Sequence, residues 1–416
     1  MTATVELRTP FDGRTFTVTG SEDDRSIMAA IRAGGGSYEP DVMLVLANLV
    51  EPDWVCLDVG ANLGAISLVL AHLCPNGRVH AFEAAGENVA HLRANLAANG
   101  ATNATAHHLA LYDRDGTLTL HFTSSYAGGS FVSDVVDEGL AEEVPARTLD
   151  GWVADQGLDR LDVVKLDVEG AESRMLAGAR ATIERFRPHL VVEFNPIVSQ
   201  RFQRQPPGAL WDALAAVYPH RFAIGPGGRL TRLLSWAHLR ALLHEHGVID
   251  LLCTFAGGRR LGRLDLPGPV AAARSLAAAV AAANPRRPAK GCFVPEPRAE
   301  VVAGVDRLRL RAGDRTTIRV WVRNTGRSWL RSDVLPYPVR LGCRWFAAGA
   351  LVEGDRVDLG TLRPGAEANV ALPVVAPDRP GHWRLAVSVI QDGIAWFDDL
   401  DPAYGAVVEV EVEVEG

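Results

Sequence analysis

The stretch Val55-Cys56-Leu57-Asp58-Val59-Gly60-Ala61-Asn62-Leu63-Gly64, continuing into Ala65-Ile66-Ser67-Leu68, constrains the fold of this chain more than any other. A short apolar run ends in Asp58, turns on two glycines and resumes with apolar residues at helical spacing, so it reads as strand, tight loop and helix. In an α/β sheet such a turn is a ligand-binding edge. Gly60 has no Cβ to hold a ligand away from the backbone, and Gly64 lets the helix begin close to the strand. The first N–H groups of the helix then face a carboxylate or phosphate.

Spacing chooses between two cofactor classes. A dinucleotide fingerprint wants glycine where the chain has Asn62, and glycine or another small residue where it has Ala65. Asn62 breaks that pattern where a pyrophosphate comes closest. The form Asp58-Val59-Gly60-Ala61-Asn62-Leu63-Gly64 instead resembles the first motif of S-adenosylmethionine-dependent methyltransferases. Gly77 to Glu83 reads as the second parallel strand and ends on an acid suited to accept hydrogen bonds from both ribose hydroxyls. Glu83 therefore supports a nucleoside cofactor without identifying it. Ala104 to Ala110 reads as the third strand, with Ala110 grouped among the cofactor-binding residues. The adjacent His107 and His108 must face opposite ways on it, and a strand histidine is more often structural than catalytic.

A second informative block is Leu161-Asp162-Val163-Val164-Lys165-Leu166-Asp167-Val168-Glu169-Gly170-Ala171-Glu172. An apolar strand ends at Asp167 and turns through Gly170 into a helix, which points Asp167 at the ligand edge. Glu169 and Glu172 are explained without function as carboxylates offsetting the helix dipole. Pro188 to Phe194 supplies a fifth strand and delivers Glu193 and Asn195 to the same edge. Upstream, Gly34-Gly35-Gly36 leads into Ser37-Tyr38-Glu39-Pro40, where Tyr38 and Glu39 either lie over the cofactor or, for Glu39, merely lend charge to a helix start.

With these residues in view, the chain resembles the FkbM family of S-adenosylmethionine-dependent methyltransferases. The resemblance rests on Tyr38-Glu39-Pro40, Asp58 to Gly64, Phe82-Glu83, Leu149-Asp150, Lys165 to Glu172 and Glu193, and covers roughly residues 38 to 256. It implies methyl transfer from S-adenosylmethionine, usually to a hydroxyl of a sugar or natural product. The expected cofactor-binding residues are Glu39, Asp58, Gly60, Asn62, Gly64, Glu83 and Ala110. A hydroxyl is a weak nucleophile, so a carboxylate must take its proton as the new bond forms. Asp167 is the first candidate for that base and Glu193 the second. Two carboxylates at adjacent strand ends are alternatively suited to hold a magnesium ion (Mg2+) that polarises the hydroxyl, although no metal ligands are assigned.

The rest of the chain frames this edge. Thr4 to Arg8 and Thr15 to Thr19 read as a hairpin around Phe11-Asp12-Gly13. Helices are expected from Asp23 and Asp24 to Ile31, Val42 to Leu49, Asn88 to Asn99, Leu149 to Gln156, Pro207 to Val217 and Ser235 to His246. Thr117 to Phe122 reads as a hairpin added to the sheet, Thr123 to Glu138 as a mobile loop that closes over substrate, and Val144 to Thr148 as the returning strand. His220 to Ile224 and Arg229 to Leu233 flank a glycine-rich turn, and Val248 to Phe255 is the last buried strand of a seven-stranded, Rossmann-like methyltransferase sheet.

After an alanine-rich helix from Pro267 to Ala283, proline and basic residues at 284–295 mark a linker. From residue 296 to 416 short alternating runs separated by Gly, Pro and Asn turns read as an all-β sandwich resembling immunoglobulin-like domains, with the tryptophans at 321, 329, 345, 383 and 396 in its core. The expected organisation is thus a methyltransferase domain at 1–283, the linker, and the sandwich. Two or three domains also suit 416 residues. A net charge of -8 argues against a nucleic-acid partner, and no apolar run is long enough to span a membrane. Five scattered cysteines without close pairs make neither a disulfide framework nor a zinc site, so a cytoplasmic location is expected. The expected partners are a small-molecule, sugar or glycan acceptor and a protein or glycan bound by the C-terminal domain. The rival functions are a nicotinamide-dependent oxidoreductase and a non-catalytic glycan- or assembly-binding protein.

Overall fold

The computed structural model describes residues 2–122, 130–133, 140–282, 294, 297–334, 337–347 and 350–413. The chain divides into two compact units: residues 1–203 with 208–239 and 248–280, and residues 281–416 with 204–207 and 240–247. The linker expected at 284–295 lies outside the described residues except for Val294, as does most of the loop expected at 123–138.

The first unit is built on a sheet whose elements follow the apolar runs. In chain order they are β1 (Thr2–Arg8), β2 (Thr15–Ser21), α1 (Ile27–Ala33), α2 (Pro40–Leu49), β3 (Val55–Val59), α3 (Ala65–Leu73), β4 (Arg78–Glu83), α4 (Gly86–Ala98) and β5 (Ala104–His108). They continue through β6 (Ala110–Leu111), β7 (Gly116–Phe122), β8 (Ser130–Val132), β9 (Leu140–Arg147), α5 (Leu149–Gln156), β10 (Val163–Leu166), α6 (Glu172–Ala177), α7 (Arg180–Phe186) and β11 (His189–Phe194). The chain continues with α8 (Pro196–Gln203), α9 (Ala209–Val217), β12 (His220–Gly225), β13 (Arg229–Arg232), α10 (Trp236–His246), β14 (Ile249–Thr254) and α11 (Pro269–Ala282), of which α10 from residue 240 and the end of α11 from residue 281 belong to the second unit.

The main sheet runs β13-β12-β14-β11-β10-β3-β4-β5. The central strands β11, β10, β3, β4 and β5 are parallel, whereas β14 runs antiparallel to both β11 and β12. From β3 the chain builds outward through β4 and β5, then returns to build the other way from β10. The order therefore reverses between β3 and β10, and in open α/β sheets ligands bind at that crevice. The sheet has eight strands rather than the expected seven, because Arg229–Arg232 pairs with β12 as an added antiparallel edge.

Two more corrections concern the second edge. The run expected as one strand from 104 to 110 breaks after His108, and Ala110–Leu111 joins a separate four-stranded sheet ordered β6-β9-β7-β8. The hairpin at 117–122 belongs to that sheet and not to the main one. The expected helix start at Asp23 and Asp24 moves to Ile27, with Asp24 Oδ1 accepting the Met28 N–H at 2.7 Å just outside it.

Helix α3 buries every residue from 65 to 71, with Ser67 the one polar side chain among them. Such a helix must be covered on both sides. The core it shares includes Leu7, Phe16 and Val18 from the N-terminal hairpin and Leu46 and Leu49 from α2. Asn95, on α4 and 1% exposed, ties that hairpin to the glycine loop: its Oδ1 accepts the Thr19 N–H at 2.8 Å and its Nδ2 donates to Leu63 O at 2.8 Å.

The second unit is β-rich. One sheet pairs Ala299–Ala303 with Arg315–Asn324 and that with Glu367–Val375; the other is ordered Arg307–Arg311, Gly405–Glu413, Gly381–Gln391, Val339–Ala347 and Ala350–Asp358. Residues of both sheets share one apolar core that includes Val320, Leu372, Leu341, Trp345, Trp383 and Leu385. Trp345, Trp383 and Trp396 are buried, but Trp321 is not. Its neighbours Val320 and Val322 point inward, so strand alternation turns Trp321 outward, where its Nε1 donates to Glu367 Oε2 at 3.3 Å. Trp329 is half-buried. Cys56, Cys74, Cys253 and Cys343 are free and buried.

Candidate active site

The loop after β3 is shaped by contacts that only glycine permits. Gly60 has φ +83°, and a Cβ built on it would lie 1.7 Å from the backbone carbonyl oxygen of Asp167. The tips of β3 and β10 are thereby pressed together. Gly64 has φ +89° and would place a Cβ 2.6 Å from Leu92 Cδ1. The N–H groups of Gly60 and Ala61 both donate to Phe82 O at 2.9 Å, which pins the loop to β4.

Glu83 completes that pinning. Its Oε2 accepts the Asn62 N–H and its Oε1 the Ala85 N–H, each at 2.8 Å. The Ala84 N–H and the Asn88 side chain are further hydrogen-bond partners of this carboxylate. Burial pushes the Glu83 carboxyl above its ordinary pKa, against the opposing N–H bonds. Asn62, at φ +49°, has a buried Oδ1 with no hydrogen-bond partner among the described residues.

A cavity of ≈ 380 Å³ opens beside this loop, lined by Gly60, Asn62, Glu83, Ala110, Asp167 and Glu169, and across from them by Arg25, Tyr112 and Phe131. A smaller cavity of ≈ 20 Å³ lies against the same loop, lined by Tyr38, Glu39, Asp58, Gly60, Asn62, Lys165 and Asp167. Of the residues expected from sequence, Gly60, Asn62, Glu83, Ala110 and Asp167 thus share the larger cavity, while Glu39 and Asp58 reach only the smaller one. Gly64 shapes the loop and lines neither. Asp58 is 2% exposed; its Oδ2 accepts the Ser67 hydroxyl at 2.5 Å, and burial pushes its pKa up to about 6.

The strand tips carry more charge than the motifs suggest. Lys165 Nζ lies 3.2 Å from Asp167 Oδ2 and 3.7 Å from Glu39 Oε2, with a lysine side chain only 2% exposed. Burial alone would lower the Lys165 pKa, but the carboxylates of Asp167, Glu39, Asp250 and Glu193 outweigh it and push it up. Glu193 sits opposite Asp250 in the register of β11 and β14, lines neither cavity, and accepts from Asn195 Nδ2 at 3.3 Å. Burial first, then Asp167 and its other acidic neighbours, raise the Glu193 carboxyl well above the usual range; burial and Glu39 raise Asp250 to about 7.

Glu172 is structural, as expected. Its Oε1 accepts the N–H groups of Val168 and Gly170, each at 3.1 Å, which closes the turn after β10. The magnesium alternative finds no support: the Lys165 ammonium already pairs with Asp167, one of the two acids in question, and among the described residues no group of three His, Cys, Asp or Glu is arranged to hold a metal. Sequence reasoning missed Lys165 and Asp250 as members of the site. The signal was present: each is a lone charge in an otherwise apolar buried strand.

Residues 58–248 match the methyltransferase FkbM domain. The chain is 28% identical over 159 residues to the 2-O-methyltransferase NoeI of Sinorhizobium fredii, an alignment covering 34% of this chain and 64% of that protein. It is 29% identical over 206 residues to the 31-O-demethyl-FK506 methyltransferase FkbM of Streptomyces tacrolimicus, covering 42% of this chain and 75% of that protein. Among solved structures, a precorrin-6y C5,15-methyltransferase from Geobacter metallireducens aligns at 14% identity over 52% of this chain and 88% of that one, with a TM-score of 0.31.

Proposed function

With an FkbM methyltransferase domain at residues 58–248 as the premise, we propose that the chain is an S-adenosylmethionine-dependent O-methyltransferase acting on a hydroxyl of a sugar, glycan or natural product. The observation that carries this reading is the buried Glu83 carboxylate, which pins the Gly60–Asn62 loop and lines the larger cavity beside it. That arrangement suits the two hydroxyls of a ribose. The names of the two relatives, both O-methyltransferases, favour a hydroxyl acceptor.

S-adenosylmethionine supplies the electrophilic methyl group when bound. Gly60, Asn62 and Gly64 shape the backbone that would hold its amino-acid end, Glu39 and Asp58 line the small cavity against the same loop, and Ala110 lines the larger cavity that would take the nucleoside. Methyl transfer from a sulfonium is an in-line displacement, so the residues around the cavity must align the acceptor oxygen and exclude water. Asp167 lines that cavity and Glu193 does not, which favours Asp167 as the group that takes the hydroxyl proton. Among the described residues no helix is long and apolar enough to cross a membrane, and a cytoplasmic enzyme fits this reading.

The two-sheet C-terminal unit is read as an immunoglobulin-like sandwich, since Arg307–Arg311 runs parallel to the final strand and the rest are antiparallel. Its role in this proposal is to bind a glycan or protein and so raise the local concentration of acceptor.

The test is transfer itself. Isotope-labelled S-adenosylmethionine is supplied with the protein to fractionated cell extract, and labelled products are identified by mass spectrometry. Label on a hydroxyl oxygen is expected; label only on nitrogen or carbon would overturn the O-methyltransferase assignment.

A further inference from the structure

Lys165 is out of place by the ordinary rules of a parallel sheet. Strand β10 is otherwise Val163, Val164 and Leu166, all buried, and a methionine would fit there without desolvating a charge. A buried ion pair is seldom a net gain in stability over apolar packing. Its partners suggest another use. Lys165 Nζ reaches Asp167 Oδ2 at 3.2 Å and Glu39 Oε2 at 3.7 Å, and among the described residues no other cation pairs with either acid. The other titratable groups facing this pair are acids or a phenol: Tyr38 beside Glu39, Asp58 on β3, Glu193 on β11 and Asp250 on β14. Asp167 and Glu39 both line the small cavity against the glycine loop.

We infer that Lys165 is a positioning residue: by pairing with both acids it holds Glu39 at the glycine loop, where it receives the α-ammonium group of the cofactor, and leaves Asp167 at the larger cavity, where it takes the acceptor proton. The inference rests on the methyltransferase reading. Without the ammonium of Lys165, acids face only acids, and a like-charge cluster takes up protons as pH falls. A protonated carboxyl attracts a cationic ligand far less than a carboxylate does, so affinity then becomes steeply dependent on pH.

The experiment is calorimetric titration of S-adenosylhomocysteine into wild type, K165M and K165R between pH 5.5 and 8.5. K165M is expected to lose about ten-fold more affinity than wild type on going from the upper to the lower pH, since one unit of pKa change is a factor of ten. K165R, which keeps the charge, is expected to follow the wild-type profile. If K165M runs parallel to wild type across the range, Lys165 serves packing alone and the inference falls. Should K165M not fold, E39Q and the E39Q/K165M double variant, which has one buried acid fewer, give the same comparison with the same two outcomes. A wild-type protein that binds no S-adenosylhomocysteine at any pH would instead sink the functional reading, which separates the two failures.

Discussion

Each unit of this protein buries a cation among acids, and the two solutions differ. In the β-rich unit Arg344 Nη1 donates to both oxygens of Asp399 at 2.9 and 3.0 Å, Nη2 donates to Asp398 at 2.8 Å, and the guanidinium carbon lies 4.4 Å from the Trp396 ring centre. The guanidinium makes all three bonds through its two Nη atoms, its buried Nε has no hydrogen-bond partner among the described residues, and none of these residues lines the cavity beside Trp383. In the α/β unit Lys165 makes looser contacts with Asp167 and Glu39, faces further acids, and borders a cavity. Every acid of the arginine cluster faces a guanidinium, with Arg204 Nε a further 3.6 Å from Asp399 Oδ2, and the cluster reads as architecture. The lysine cluster has acid to spare and reads as a place prepared for something positively charged.

The largest expected effect sharpens that contrast. R344A strands Asp398 and leaves Asp399 only the looser contact with Arg204 at 3.6 Å, and breaking a buried pair by removing one partner costs about 3–5 kcal/mol. The β-rich unit should therefore lose stability in thermal denaturation while S-adenosylhomocysteine affinity stays as in wild type; loss of affinity would mean that the arginine cluster is not merely architectural.

Next in size is G60A. The φ of +83° and the Asp167 carbonyl 1.7 Å from an added Cβ force the tips of β3 and β10 apart. A strained backbone of this kind costs about 1–3 kcal/mol. Calorimetry should show the larger deficit, with cofactor-analogue binding below detection. Retained binding would show that the close approach of the two tips is dispensable.

A third measurement uses pH. Burial pushes the Glu172 carboxyl from 4.5 to about 7, so the folded state holds that proton more tightly than the unfolded chain does. The associated stability is present below pH 4.5 and is lost as pH rises through about 7. The shift is worth roughly 3 kcal/mol, at 1.36 kcal/mol per unit. E172Q keeps an oxygen for the Val168 and Gly170 N–H groups and removes the titration. Its stability curve between pH 4.5 and 7 should be flatter than that of wild type, and an unchanged slope would assign the dependence elsewhere. The smallest effect belongs to W321A, which removes an outward-facing ring and should change stability by less than about 1 kcal/mol; W345A, deep in the core, should cost about 3–5 kcal/mol.

The parts of the molecule legible in sequence were those in which one residue type is forced. Gly60 and Gly64 announce a loop that no side chain tolerates, and Glu83 at the end of an apolar strand announces a ribose-sized acceptor. The eighth strand was half visible, since both arms of the hairpin around Gly225 to Gly228 were read, but whether its outer arm joins the sheet depends on pairing that local pattern does not encode. Helix α8 was missed because Pro196 opens it and its polar residues Ser199, Gln200 and Gln203 are buried by tertiary hydrogen bonds and packing, which blurs the apolar period. Trp321 was misread as core because tryptophan is so commonly buried, although the alternation of Ile318, Val320 and Val322 already turned it outward. The lysine cluster was legible only in pieces: Glu39 and Glu193 were candidates and Lys165 and Asp250 stand out as lone charges, but its members come from four separate stretches and only the fold brings them together.

The central claim is that the crevice between β3 and β10 holds a sulfonium nucleoside. Calorimetric titration of the wild-type protein with S-adenosylhomocysteine, and in parallel with NAD, tests it most directly. The account predicts saturable heat with one site for the first ligand and none for the second, and binding of NAD alone would contradict it.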